Sequence, residues 1–367
     1  MKTRPRVVIA GLGDSGLLVA IHLSRYADVV GVSSKPGLVS GQELGLRVSR
    51  PDLWRRDYWV PFDRYRRLDG VRTIHASLTS VDTERRHVRL ISADGTVIEE
   101  PYDILVIATG VSNGFWRTAA LETSDQVEDR LAEIHVRLAE SRSVAVIGGG
   151  AAAVSSAWNI ARRWPDTRVD LYFPGERALT RHHPRVWSTV RRRLEAESVG
   201  IHPNHRAEPP DGTDQITDEP VHWTTGQSPT TVDAVLWTIG QVTPNTRWLP
   251  RELLDDDGFV VTDEYLRVRG MASAYAIGDV AATDPLRSSA RARADGLLAH
   301  NIRADLTGRR PRRFRPLKRR WGSVLGVQDN RLQVFSPTGR PFTIPVWSAL
   351  QPWIVGRGIY QGIRQRP

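Results

Sequence analysis

Cysteine is absent from the 367 residues. That excludes a redox disulfide, a thiolate nucleophile and thiolate metal sites. Electrons handled by such a chain cannot pause on a protein dithiol. No apolar run approaches the roughly 18 residues needed to span a bilayer. Residues 1–6 lead straight into a strand, without the apolar stretch and cleavage site of a signal peptide. A cytoplasmic protein is expected, with peripheral contact at the inner face of the membrane left open. Acidic residues are in deficit, 41 Asp and Glu against 51 Lys and Arg, for a formal net charge of +10. The imbalance is steepest at residues 303–320, where nine Lys and Arg meet a single acid, Asp305. Such a stretch suits an acidic protein partner or an anionic membrane surface, and otherwise reads as a solvated linker; nucleic acid is not expected.

What is present is a repeat. Val7-Val8-Ile9-Ala10 runs into Gly11-Leu12-Gly13-Asp14-Ser15-Gly16, and Val144-Ala145-Val146-Ile147 runs into Gly148-Gly149-Gly150-Ala151-Ala152-Ala153. Each is a strand, a glycine turn and a helix start. The first glycine allows the tight turn and the second lets backbone approach a pyrophosphate. The third position lets helix and strand pack closely. The helix N-terminus adds unpaired N–H groups and the positive end of its dipole. Two such turns imply two nucleotides.

The pattern between and after them is α/β. Helices are expected at residues 16–26, 125–141, 151–164, 185–198 and 288–306. Strands are expected at 28–32, 102–108, 169–173, 234–239 and 274–277, with an antiparallel ribbon over 73–90. Residues 33–69 show weak periodicity, 203–229 read as loops and short antiparallel strands, and the chain beyond 307 as a smaller α+β unit. With 40% hydrophobic residues, two or three packed domains are expected.

Several positions carry chemistry. An acid should end the second strand and hold a ribose; Ser33, Ser34 and Lys35 stand there instead, and Glu43 is the nearest later carboxylate. Glu176 and Arg177 follow the strand behind the second turn, the acid suiting a free 2′-hydroxyl and the Arg a 2′-phosphate, with Arg181 a further phosphate ligand. Gly278-Asp279 ends a strand, where a carboxylate can bind a polyol or simply cap a turn. His182, His183, His202 and His205 have no metal-site spacing, and no metal is expected. The tail with Trp347, Trp353 and Tyr360 would lie on a membrane, pack on the first domain or form a homodimer contact.

The order of glycine turn, Ala108-Thr109-Gly110, second turn, Gly240 with Pro244-Asn245, and Gly278-Asp279 resembles the two-dinucleotide-binding FAD/NAD(P)-dependent pyridine nucleotide oxidoreductase family. The lack of cysteine makes it similar to the branch of apoptosis-inducing-factor-like proteins and type II NADH:quinone oxidoreductases. The resemblance implies two Rossmann-like domains, the second inserted into the first. FAD would belong to residues 1–112 and 241–302, NADH or NADPH to the insert 113–240, and residues 303–367 would form a basic linker and C-terminal interface segment. It places the FAD pyrophosphate at Gly11, Gly13 and Gly16, its adenosine half near Thr109 and Gly110, and its ribityl chain at Asp279. The nicotinamide cofactor's pyrophosphate falls at Gly148, Gly150 and Ala153. The implied activity passes hydride from NAD(P)H to flavin and electrons to a quinone or other small non-thiol acceptor. A ferredoxin-like protein acceptor, or a redox-sensing interaction protein, are the alternatives. The branch's usual Glu after the second turn is replaced by Ser155. In place of a Gln-containing helix start, residues 285–293 carry Arg287, Arg291 and Arg293, which would face a flavin, bind an acidic substrate or sit at the surface.

Overall fold

The computed structural model describes residues 4–40, 44–113, 117–210, 216–239, 242–283, 294–316 and 318–364. The chain opens with strand β1 (Arg6–Ala10), helix α1 (Asp14–Leu23) and β2 (Asp28–Ser33). Two short helices follow, α2 (Leu44–Ser49) and α3 (Pro51–Tyr58). Then come β3 (Val71–Asp82), β4 (His87–Ser92), β5 (Val97–Pro101) and β6 (Ile104–Ile107).

A second α/β unit comes next. It holds α4 (Ser124–Glu140), β7 (Ser143–Ile147), α5 (Ala151–Arg163), β8 (Arg168–Tyr172), α6 (Pro184–Ala196), β9 (Gly200–His202), β10 (Ile216–Thr217) and β11 (Ala234–Trp237). The chain then returns to the first unit with β12 (Ala274–Ala276) and α7 (Ala294–Thr307).

The first sheet has the order β12-β6-β1-β2-β3-β4-β5. It is parallel from β12 to β3 and antiparallel beyond. β3 does both jobs: its first half pairs with β2, its second with β4, across a register shift between Leu78 and Ser80. The second sheet runs β9-β8-β7-β11-β10, antiparallel only at β10.

Both central strands are apolar on both faces, as buried parallel strands must be. Val7 and Ile9 enter one layer, Val8 and Ala10 the other. Val144 and Val146, and Ala145 and Ile147, divide in the same way. α4 buries Val127, Leu131, Ile134 and Leu138, the stripe that its sequence spacing predicts, and starts with a capping box of Thr123 and Gln126. The α/β class with two Rossmann-like units therefore stands.

The two crossings between the units run side by side. Val111–Ser112 pairs antiparallel with Thr243–Pro244. Asn245 locks them, accepting from Thr109 Oγ1 at 2.8 Å through its carbonyl and from Ser112 Oγ at 2.7 Å through its side chain.

After α7 a basic stretch crosses the surface. Asn301 anchors it by hydrogen bonds to the backbone of Arg312 at 2.7 and 2.8 Å. The C-terminal segment is a three-stranded antiparallel sheet, β13 (Val327–Gln328), β14 (Arg331–Phe335) and β15 (Pro341–Pro345), followed by two π-helical turns. The tail folds back on the first unit: Arg364 donates to the Arg64 carbonyl at 2.8 Å and pairs with Asp69 at 2.6 Å. Trp347 and Trp353 stay exposed. Among the described residues, no helix is long and apolar enough to cross a membrane.

Candidate dinucleotide sites

At the first turn Gly11 has φ +100°, a conformation that L side chains rarely adopt. Its N–H donates to the Val32 carbonyl at 2.9 Å, and a Cβ there would strike the Ala108 carbonyl. Gly13 caps α1 with extended backbone and no side-chain cap, and nothing lies within 4 Å of where its Cβ would be. The first amides of α1 lack intrahelical partners by geometry. Gly16 is where helix meets strand: a Cβ would drive into the Gly11 carbonyl. Gly278 abuts the same turn, with Ser15 Oγ 2.9 Å from where its Cβ would lie. Gly11 to Gly16, Ala108 to Gly110, Ser33 to Lys35 and Gly278-Asp279 thus converge at the carboxyl ends of parallel strands, where open α/β sheets bind ligands.

The second turn repeats this. Gly148 has φ +140°, and its N–H donates to the Tyr172 carbonyl at 2.8 Å. Gly150 caps α5 without a side chain and faces open space. Ala153 is fully buried, so a methyl is accommodated where the first turn needs a glycine. The Leu179 N–H donates to the Gly149 carbonyl at 2.7 Å, folding residues 176–179 onto the turn. Glu176 is exposed and Arg177 half-buried, with one Nη on the Thr180 carbonyl at 3.4 Å. Gly240, Glu43 and residues 285–293 lie outside the described residues.

Four features correct or extend the sequence reading. Thr109 is engaged by Asn245 on both sides: its hydroxyl donates to the Asn245 carbonyl and its carbonyl accepts from Asn245 Nδ2 at 2.9 Å. It holds the crossing together, and Gly110 beside it faces open space. Asp279 is not a free carboxylate, for Arg117 donates to it.

The third feature is the ribose corner. Lys35, only 9% exposed, donates to the Ala120 carbonyl and sits 2.9 Å from Glu122. Glu122 in turn meets Arg130 at 3.2 Å, and its N–H donates to the Ser34 carbonyl at 3.0 Å. A carboxylate from the crossing thus sits beside the end of β2, paired with Lys35 and Arg130. Arg47 is buried close by, its guanidinium 5.0 Å over Trp54. Burial, then repulsion from Arg130 and Arg117, lowers its pKa to about 9. Burial is also the main cause that lowers Lys35. Lys35, Arg47, Arg117 and Arg130 thus gather near the carboxylates Glu122 and Asp279 among the described residues. No local sequence signal marked Arg117, Glu122 or Arg130, because their role depends on how the crossing folds.

The fourth is Ser155. It is buried, and a Cβ on Gly45 would collide with its carbonyl. α2 and α5 touch there backbone to backbone, and Asn159 bonds the Ser155 carbonyl at 2.8 Å. Ser155 Oγ itself lies 2.5 Å from where a Gly45 Cβ would be, so a longer side chain at 155 would press on α2.

Two glycine turns without side-chain caps, the first beside a cluster of cations, fit two pyrophosphate-bearing dinucleotides. The profile of a family described as pyridine nucleotide-disulphide oxidoreductase matches residues 5–296. Its members bind FAD and NADH or NADPH. The chain is 25% identical to oxidoreductase ptaL of Pestalotiopsis fici over 65% of this chain and 63% of that protein, so it matches a little under two thirds of that relative's length. It is 26% identical to demethylphylloquinone reductase NdbB of a Synechocystis strain over 86% of this chain and 83% of that one. Among solved structures, reduced Bacillus anthracis CoADR-RHD superposes with a TM-score of 0.68 at 17% identity, covering 90% of this chain and 61% of that one. The ferredoxin reductase of the CYP199A2 system from Rhodopseudomonas palustris gives 0.65 at 20%, covering 90% and 88%. At these identities the structures speak for the fold alone.

Proposed function

Because the chain belongs to the pyridine nucleotide-disulphide oxidoreductase family, we propose that it is an FAD-dependent oxidoreductase that draws on NADH or NADPH and reduces a quinone or another small non-thiol acceptor. The pair of glycine turns at unlike helix starts carries this reading. FAD belongs at Gly11 to Gly16, with the pyridine nucleotide at Gly148 to Ala153. When bound, the two groups supply hydride transfer and onward electron transfer.

The chain's own work is positioning and charge. The amides at the start of α1 and α5 receive phosphate oxygens. Arg47, Arg117, Arg130 and Lys35 offset the negative charge gathered at the first turn. Glu122 serves in place of the acid missing from β2, and Asp279 orients the polyol chain when Arg117 shares it. No side chain is needed as acid or base for hydride transfer, and the absence of cysteine removes any dithiol stage. NdbB is named a demethylphylloquinone reductase, which supports a quinone as the acceptor class.

The test is spectral. The purified protein should be yellow or take up FAD, bleach anaerobically with NADH or NADPH, and recover its colour on addition of a quinone. A colourless protein that takes up no FAD refutes the reading. A second reading rests on the exposed Arg309, Arg310, Arg312, Arg313, Arg315, Lys318 and Arg319, which suit an acidic protein acceptor. Turnover with a ferredoxin that falls steeply with salt would favour it.

A further inference from the structure

A cavity of about 310 Å³ lies where the C-terminal segment meets α2, α3 and α5, within the size range of small-molecule sites. Part of its wall is apolar, with Leu38, Val60, Leu332 and Val346 all buried. Four guanidinium groups also line it, those of Arg50, Arg56, Arg162 and Arg163. Arg56 is paired with Asp57 at 2.9 Å and Arg162 with Asp329 at 3.3 Å. Arg50 and Arg163 have no carboxylate partner among the described residues, and both are exposed, which puts them at the mouth.

The interior holds a second signal. Tyr65 lines the cavity at 0% exposure, its ring edge-on to Tyr360 at 5.3 Å. Its hydroxyl is buried and makes no hydrogen bond among the described residues. Buried polar groups are nearly always satisfied, and one that is not calls for an explanation. Ser40 lines the same cavity and donates to Asp14 at 3.3 Å, so the inner end is one side chain from the first glycine turn.

We propose that this cavity binds an amphipathic organic acid, its anionic head held by Arg50 and Arg163 and its apolar body along Leu38, Val60 and Leu332. A polar atom of that body pairs with the Tyr65 hydroxyl. Apolar walls alone would select by size; two guanidinium groups without a carboxylate partner among the described residues select an acid over the equivalent alcohol. The proposal needs no bound dinucleotide and is tested without turnover.

The measurement is titration calorimetry on the full-length protein as purified, with decanoic acid, its terminal hydroxy derivative and decanol as probes. Decanoate should bind about tenfold more tightly than decanol, and the hydroxy acid more tightly still. The variant Arg50→Ala/Arg163→Ala alters only exposed side chains, so its fold is preserved, and it should bring decanoate down to decanol. Tyr65→Phe should erase the advantage of the hydroxy acid while leaving decanoate unchanged. Equal binding of acid and alcohol to the native protein overturns the proposal. So does decanoate binding that the double Arg variant leaves intact.

Discussion

Lys35 and Glu122 stand 2.9 Å apart at the end of β2, one from the strand and the other from the crossing toward the second unit. The pair joins two parts of the chain at the corner where a dinucleotide's ribose would lie. Glu122→Gln removes the charge that balances a buried ammonium, and a buried pair broken on one side is costly. A loss of about 2–4 kcal/mol is expected, read by urea denaturation, together with weaker FAD retention. Replacing both, as Lys35→Met/Glu122→Leu, should recover much of the stability and none of the retention.

The two glycine turns should fail separately. Gly13→Val and Gly150→Val each place a branched side chain in open space, so the fold should survive, as judged by circular dichroism. Gly13→Val should weaken FAD binding at least tenfold, about 1.4 kcal/mol, with NADH binding spared. Gly150→Val should do the reverse. Equal loss of both ligands in either variant would contradict the assignment of one dinucleotide to each turn.

The contact of Gly45 with Ser155 admits no added volume. Gly45→Ala and Ser155→Glu should each destabilise by about 1–3 kcal/mol, the range of overpacked interiors, and Ser155→Ala should be close to neutral. Thermal denaturation of the three variants decides it. A well-tolerated Ser155→Glu with faster turnover would mean that the position serves chemistry and not packing.

His182 gives a pH dependence. It is 7% exposed, and burial, with Arg320 adding repulsion, lowers its pKa from 6.5 to about 4. Above pH 6.5 the ring is neutral in both folded and unfolded chains. As pH falls from 6.5 toward 4 the unfolded chain takes up the proton first, so stability drops, by on the order of 3 kcal/mol at the lower limit. His182→Asn should flatten that part of the stability curve relative to the native protein, measured by denaturant titration across pH.

Much of the fold was legible because its strongest signals are local. The stripe of Val127, Leu131, Ile134 and Leu138 names a helix by spacing alone, and Val7 to Ala10 reads as a strand buried on both faces. α2 and α3 were not legible. Arg, Trp and Ser interrupt their periodicity, and packing against α5 and α4 holds them in place. The glycines of both turns could be placed because their geometry is dictated by adjacent residues. Arg117, Glu122 and Arg130 could not, since their site forms only when the crossing folds over the end of β2. The surroundings of Ser155 were not legible either, since Gly45, more than a hundred positions away, packs against it.

The return of β12 to the edge of β6 sets an order of assembly. Residues 143–237 contain every strand of the second sheet, while Val324, Leu325 and Phe335 join its core only later. The first sheet, begun at Arg6, waits for residues 274–276 before its last strand arrives. Until then the edge of Ile104 to Ile107 is bare, an apolar row of unpaired backbone groups of the kind that invites aggregation. Synthesis therefore passes through a stage in which the later sheet has all its strands and the earlier one does not, and a truncated chain is most vulnerable there.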